Sequence, residues 1–161
     1  MKPAALPFHA VQLGWLLLGA AGTAALARRL GATAGWSALA ALLFGLHPAL
    51  VEPACLLMAR SDVTVVACTL WSVVAWLGWR AALDGGGRRR SLWTALHVVA
   101  LAAALASKET AVVRPAVLTL WALADGPRVR PRRLATLARA WLLAAAYYLA
   151  RVRVLHAASA V

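Results

Sequence analysis

Three short stretches hold most of the side chains in this sequence that could do chemistry: His47-Pro48 with Glu52, Arg60-Ser61-Asp62, and Ser107-Lys108-Glu109 followed by Arg114-Pro115. They contain three of the five acidic residues, so the carboxylates are concentrated rather than scattered. A carboxylate can take the proton of an attacking hydroxyl. Lysine, arginine and histidine can stabilise negative charge in a water-poor site. Other chemistries lack their residues. No phosphate-cradling glycine loop, no Gly-x-Ser-x-Gly and no His-Glu-x-x-His is present. Gly85-Gly86-Gly87 before Arg88-Arg89-Arg90 reads as a turn, and Cys55 and Cys68 show neither metal nor redox spacing. The residues call for no cofactor and neither require nor exclude a divalent metal.

Each candidate also has a plain structural reading. Asp62 suits the positive N-terminal end of a helix and is placed to pair with Arg60. His47 reads by itself as a helix-end residue. Arg114 sits in an apolar run, where a charge costs ~2.5–3.5 kcal/mol near a helix centre unless it snorkels or finds an anion. Asp84 and Asp125 border arginine-rich loops as charge balance, and His97 has no evident role.

The elements that must position these groups are apolar helices. The chain has 161 residues, 63% of them hydrophobic, and a mean hydropathy of +0.76. Six apolar segments are evident, at about 9–27, 33–46, 63–83, 92–106, 110–124 and 140–155. About 20 apolar residues cross ~30 Å of hydrocarbon as a helix, and lipid offers an unpaired backbone no partner. Strand-like alternation is absent. The expected fold is therefore all-α, a polytopic transmembrane bundle of about six helices forming one domain. The second, fourth and fifth segments are short, and Arg114-Pro115 predicts a broken or re-entrant helix in the fifth.

The formal charge is +12. It lies mostly in short connections between apolar runs, which orients a membrane protein and argues against nucleic acid as a partner. Arg28, Arg29, Arg80, Arg88, Arg89, Arg90, Arg128, Arg130, Arg132, Arg133 and Arg139 fall on one side by loop order. Lys2, Arg60, Lys108, Arg114, Arg151 and Arg153 fall on or toward the other. The first side is expected to be cytoplasmic. Trp36, Trp76, Trp79, Trp93, Trp121 and Trp141 lie near the same helix ends, as an aromatic belt would. Glu52, Asp62, Glu109, His9, His47, Arg60 and Lys108 then share the extracytoplasmic face, with Arg114 about a turn deeper.

Phe44-Gly45-Leu46-His47-Pro48-x3-Glu52-x7-Arg60-Ser61-Asp62, then Leu105-Ala106-Ser107-Lys108-Glu109-Thr110-Ala111-x3-Pro115, resembles the membrane O-mannosyltransferases that carry TPR repeats, within the GT-C class. Pro7-Phe8-His9-x2-Gln12 resembles the start of that family's second helix, where asparagine is more usual than Gln12. The resemblance covers most of the chain. It implies a GT-C-type membrane domain in a cell inner or plasma membrane, a polyprenyl-phosphate sugar donor with mannose as the sugar, and inverting transfer to a protein or glycan acceptor outside the cytoplasm. On that footing Glu52 and Asp62 are the expected catalytic carboxylates. His47, Arg60, Lys108 and Arg114, with Glu109 beside them, form the expected donor-phosphate subsite. Two departures bear on activity: the family's usual base lies in a loop ahead of the matching region, and TPR repeats are absent. The chain is accordingly expected to be part of a larger catalytic domain, inserting alone but transferring no sugar alone. Two other classes fit the residues, a non-catalytic scaffold or subunit of the same fold and a small transporter with the outer charges as a vestibule.

The topology predicts that residues 48–62 and 107–109 are extracytoplasmic and 84–91 and 126–139 cytoplasmic. On a background without Cys55 and Cys68, Ser107→Cys should react with an impermeant thiol reagent in intact cells and Gly87→Cys should not. The reverse labelling pattern overturns the assignment.

Overall fold

The computed structural model describes residues 5–50, 60–82, 87–124 and 131–159, and every element among them is helical. The helices are α1 (Ala5–Arg29), α2 (Ala34–Gly45), α3 (Arg60–Ala81), α4 (Gly87–Ser107), a 3-10 turn (Glu109–Val113), α5 (Arg114–Ala124) and α6 (Pro131–Ser159). The six α-helices fall on the six apolar segments: α1, α4 and α6 extend beyond theirs at both ends, α3 starts earlier and ends earlier, α2 is a residue shorter at each end, and α5 begins only at Arg114. The break in the fifth segment falls where Arg114-Pro115 predicts it. Proline fits the first turn of a helix, where an amide hydrogen has no intrahelical acceptor, so α5 starts there and the preceding residues coil as a 3-10 turn.

Among the described residues, three helices are long and apolar enough to cross a membrane: Pro7–Arg29, Arg60–Ala81 and Arg88–Ser107. The chain is a membrane protein with an all-α helical bundle. α2 has 12 residues, roughly 18 Å at 1.5 Å per residue, and is too short to span by itself. α6 has the length, at 29 residues, but carries arginines along it, including Arg139, Arg151 and Arg153. Leu17, Leu42, Leu43, Leu142 and Leu149 are each about 60% exposed or more, an arrangement lipid accepts and water does not.

The chain divides into two compact units, residues 1–108 and 109–161. In the first, α1 packs on α2 and α3, and α3 packs on α4. α1 closes in a Schellman turn. The Ala32 amide donates to the Ala27 carbonyl at 3.0 Å and the Gly31 amide to Arg28 at 3.2 Å, with Gly31 at φ 96°. This reversal lays α2 antiparallel on α1, so that Phe44 meets Gly19. Gly22 lets α3 approach α1, with Leu70 and Trp71 against it, and the Trp71 indole N–H donates to the Leu18 carbonyl at 2.9 Å. Close approach at small residues is how helices associate in lipid, where apolar burial supplies no driving force.

α3 and α4 form an antiparallel hairpin with contacts along its whole length. Gly78 lies under the Trp93 ring, and a Cβ there would stand 2.6 Å from Cδ2. At mid-height Ser72 and His97 are both buried, and His97 Nδ1 lies 2.9 Å from the Ser72 hydroxyl and 3.0 Å from its carbonyl. With its proton on Nδ1 the ring donates to the carbonyl, and with it on Nε2 the ring accepts from the hydroxyl. Either tautomer ties the two helices together. His97, without evident role in the sequence, is thus a packing residue.

Two tryptophans depart from the belt expectation. Trp76 and Trp79 are 1% and 4% exposed, inside the bundle rather than at its lipid-facing rim. α3 contacts both α1 and α4, and its bulkiest side chains fill the space between them. Trp36 and Trp141 remain outward, at 68% and 47% exposure. In the second unit α5 packs on α6, where the Trp141 indole donates to Thr119 Oγ1 at 3.1 Å.

Gly78→Val should cost the fold about 1–3 kcal/mol by overpacking against Trp93. Gly14→Ala, at a site with nothing within 4 Å, should cost nothing. Unfolding by sodium dodecyl sulfate in mixed micelles, followed by far-UV circular dichroism, measures both. Equal effects would remove the α3–α4 seam from the account.

Candidate functional site

The hairpin register brings Asp62 and Lys108 together. Asp62 is the third residue of α3 and Lys108 follows the last residue of α4, so an antiparallel pair in fixed register must place them side by side. Lys108 Nζ donates to Asp62 Oδ1 in an ion pair whose side chains are 36% and 40% exposed. The two came from separate stretches of sequence, 46 residues apart. The local alternative, an Asp62–Arg60 pair, is not the one adopted. Arg60 is exposed at the start of α3, and its carbonyl accepts from Thr64 Oγ1 at 2.9 Å.

His47 lies at the same end of the first unit, since α2 runs antiparallel to α1 and α3 parallel to it. It follows α2 and caps the next helical turn. Its Nδ1 accepts from the Ala49 amide at 3.2 Å, its carbonyl accepts from Leu50 at 2.9 Å, and Pro48 occupies the first position. The helix-end reading therefore holds for His47, and its ring remains exposed. Glu52 lies outside the described residues. The opposite end of this unit carries Arg28, Arg29, Arg80 and 88–90. The register thus separates the arginines from the Asp62–Lys108 pair by the full length of the hairpin.

The remaining candidates belong to the second unit. Glu109 opens the 3-10 turn and is paired with Arg151 of α6, Nη1 to Oε2 at 2.9 Å. The same Nη1 lies 3.3 Å from the Tyr147 hydroxyl, one helical turn earlier. Arg151 was visible in the sequence only as one of the cations on Glu109's side; which carboxylate it would meet depends on the packing of α6. Arg114 is 5% exposed at the start of α5, so it is buried rather than extended to the surface. Snorkelling does not describe it.

Chemically, the Asp62–Lys108 pair offers a carboxylate and an ammonium that neutralise one another and remain half open to solvent. An anion arriving there can take Lys108 from Asp62. Among the described residues no group of three His, Cys, Asp or Glu gathers as a metal centre. Cys68 is a buried free thiol within α3. No family model, curated protein or solved structure matches the chain.

A half-exposed ion pair contributes little to stability, about 0.2–1 kcal/mol. Asp62→Asn and Lys108→Met, singly and together, should give a coupling energy within that range in the same mixed-micelle titration. A coupling of several kcal/mol would mark the pair as a structural clamp and not an openable one.

Proposed function

We propose that the chain is part of the membrane domain of a GT-C-class glycosyltransferase, which moves a sugar, mannose by the resemblance, from a polyprenyl-phosphate donor to a protein hydroxyl at the extracytoplasmic face. The observation that carries this reading is the Asp62–Lys108 pair, at the end of the first unit opposite the arginines. Both residues belong to the motifs that resemble that class, and arginine-rich ends face the cytoplasm in multi-pass proteins.

The reaction such a site would perform is balanced as follows. The acceptor oxygen attacks the anomeric carbon, the bond from that carbon to the phosphate oxygen breaks, and the phosphate keeps the electron pair. The hydroxyl proton passes to a carboxylate. Lys108 serves the phosphate, where its charge offsets the developing negative charge. Asp62, once Lys108 turns to the donor, has its carboxylate open to the acceptor's proton. Glu52, His47 and Arg60 belong to the same motif and would position the donor and acceptor hydroxyls and the phosphate. Arg114 and Glu109 belong to the second half of that motif. No cofactor is required by these steps.

The rival reading, a non-catalytic membrane scaffold, is favoured by one observation: Asp62 already has a partner within its own fold. Donor binding separates the two. The protein reconstituted in neutral lipid should bind polyprenyl-phosphate mannose and not the free polyprenol. Lys108→Met should weaken binding about tenfold or more, the loss of one charge-assisted contact. Asp62→Asn should leave binding intact or tighten it, because it releases Lys108. Absence of phosphate-dependent binding, or equal weakening by both substitutions, would favour the scaffold.

A further inference from the structure

Six arginines gather at the other end of the first unit, with Asp84 the only acid the sequence places among them. Charge of this kind orients a membrane protein without any ligand, so it is the arrangement that is informative. Arg28 donates from Nη1 to the Ala32 carbonyl at 3.1 Å, and Arg80 lies over the Trp76 ring at 4.8 Å. Arg29 and Arg89 instead line a cleft of about 120 Å³ whose described walls are completed by Gly78, Ala81, Ala82 and Trp93. That is room for several water molecules, and so for one phosphate group.

Three features make the cleft suited to an anion. The Arg29 guanidinium stacks on Trp93, 4.7 Å from the ring centroid. A guanidinium held by its face keeps its edge N–H donors for a planar, bidentate partner. The small residues Gly78, Ala81 and Ala82 leave the floor open. Finally, α4 opens with Arg88, Arg89 and Arg90 and has no acid in its first turn, which sets three cations on the positive end of the helix dipole. That local conflict is relieved by an anion at the helix start.

A second cavity identifies the source of the anion. A groove of about 460 Å³ is lined by Arg89, Leu92, Trp93 and Leu96, one helix face running away from the cleft along α4 and sharing Arg89 and Trp93 with it. A free phosphate has no use for an apolar groove, whereas a phospholipid presents its phosphate and an acyl chain in just that order. We propose that this end of the bundle holds one anionic phospholipid, its phosphate between Arg29 and Arg89 and an acyl chain along Leu92 and Leu96. It does not rest on the glycosyl-transfer reading, since it concerns the opposite end and a different lipid. At the expected cytoplasmic face, anionic lipid is the available phosphate.

The test uses the purified protein in detergent with added phosphatidylglycerol, phosphatidylcholine or inorganic phosphate, and reads retained lipid by native mass spectrometry. One phosphatidylglycerol should be retained in preference to phosphatidylcholine, and equimolar inorganic phosphate should not displace it. Arg29→Gln and Arg89→Gln should each lower retention about tenfold or more. Arg88→Gln removes the same charge from the same turn but does not line the cleft, and should leave retention unchanged. Arg29→Lys keeps the charge and loses the fork, so retention should fall there too. Far-UV circular dichroism verifies that each variant is helical. The proposal is overturned if Arg88→Gln lowers retention as much as Arg29→Gln, which is diffuse attraction. Full retention in Arg29→Lys, displacement by inorganic phosphate or equal retention of both lipids would also overturn it.

Discussion

The antiparallel seam between α3 and α4 is the constraint on which the first unit depends. Gly78 receives Trp93, Ser72 meets His97, and Asp62 meets Lys108, each step along α3 matched by a step back along α4. In lipid, apolar surface gains nothing by leaving its solvent, so a helix pair is fixed by close packing and by polar contacts across it. The seam uses both. The glycine–tryptophan contact sets the distance, and the buried serine–histidine contact sets the register, because a shift by one residue would turn Ser72 away from the ring.

Register in turn determines where charge can go. With α3 and α4 locked, the start of α3 and the end of α4 must share one end of the bundle, and the turn between them must share the other. The parallel packing of α1 on α3 adds Arg28 and Arg29 to the turn end. Segregation of the arginines from the Asp62–Lys108 pair is therefore a product of helix order and two packing contacts, and it needs no long-range charge interaction. The two ends then differ in kind: one holds a neutralised acid–base pair, the other a concentration of guanidinium groups, two of them held open around a cleft.

Helix positions were legible in the sequence because long apolar runs bounded by arginine, glycine and proline permit few other structures in lipid. The break at Arg114-Pro115 was legible for a local reason, proline's missing donor. Helix rotation was not. α3 and α4, like α1 and α2, are only weakly amphipathic, so no clear stripe distinguishes the face that packs from the face that meets lipid. This is why Trp76 and Trp79 read as belt residues and proved to be core, and why His97 carried no signal: a lone histidine in an alanine-rich run declares a partner only once the opposing helix presents Ser72. The Asp62–Lys108 pairing was half legible. Both lie on one expected face, but Arg60, two residues from Asp62, was the nearer partner in sequence. On a helix, residues two apart point to different sides, so proximity along the chain gave the wrong cation.

That geometry also bears on how an ion pair at a membrane interface can belong to a binding site. A carboxylate or an ammonium left alone at the edge of the hydrocarbon is costly, and a pair that closes on itself removes most of that cost while the site is empty. Were the pair fully buried, opening it would leave an uncompensated charge at several kcal/mol, and an arriving anion would have to supply all of it. At 36% and 40% exposure the two side chains retain contact with solvent, so exchange of one partner for another costs little. An anion that reaches the pair from the bilayer edge therefore meets an ammonium that can be released at little cost. The weakness of the Asp62–Lys108 pair is thus compatible with the exchange that the proposed reading requires, and a pair closed more tightly would not be.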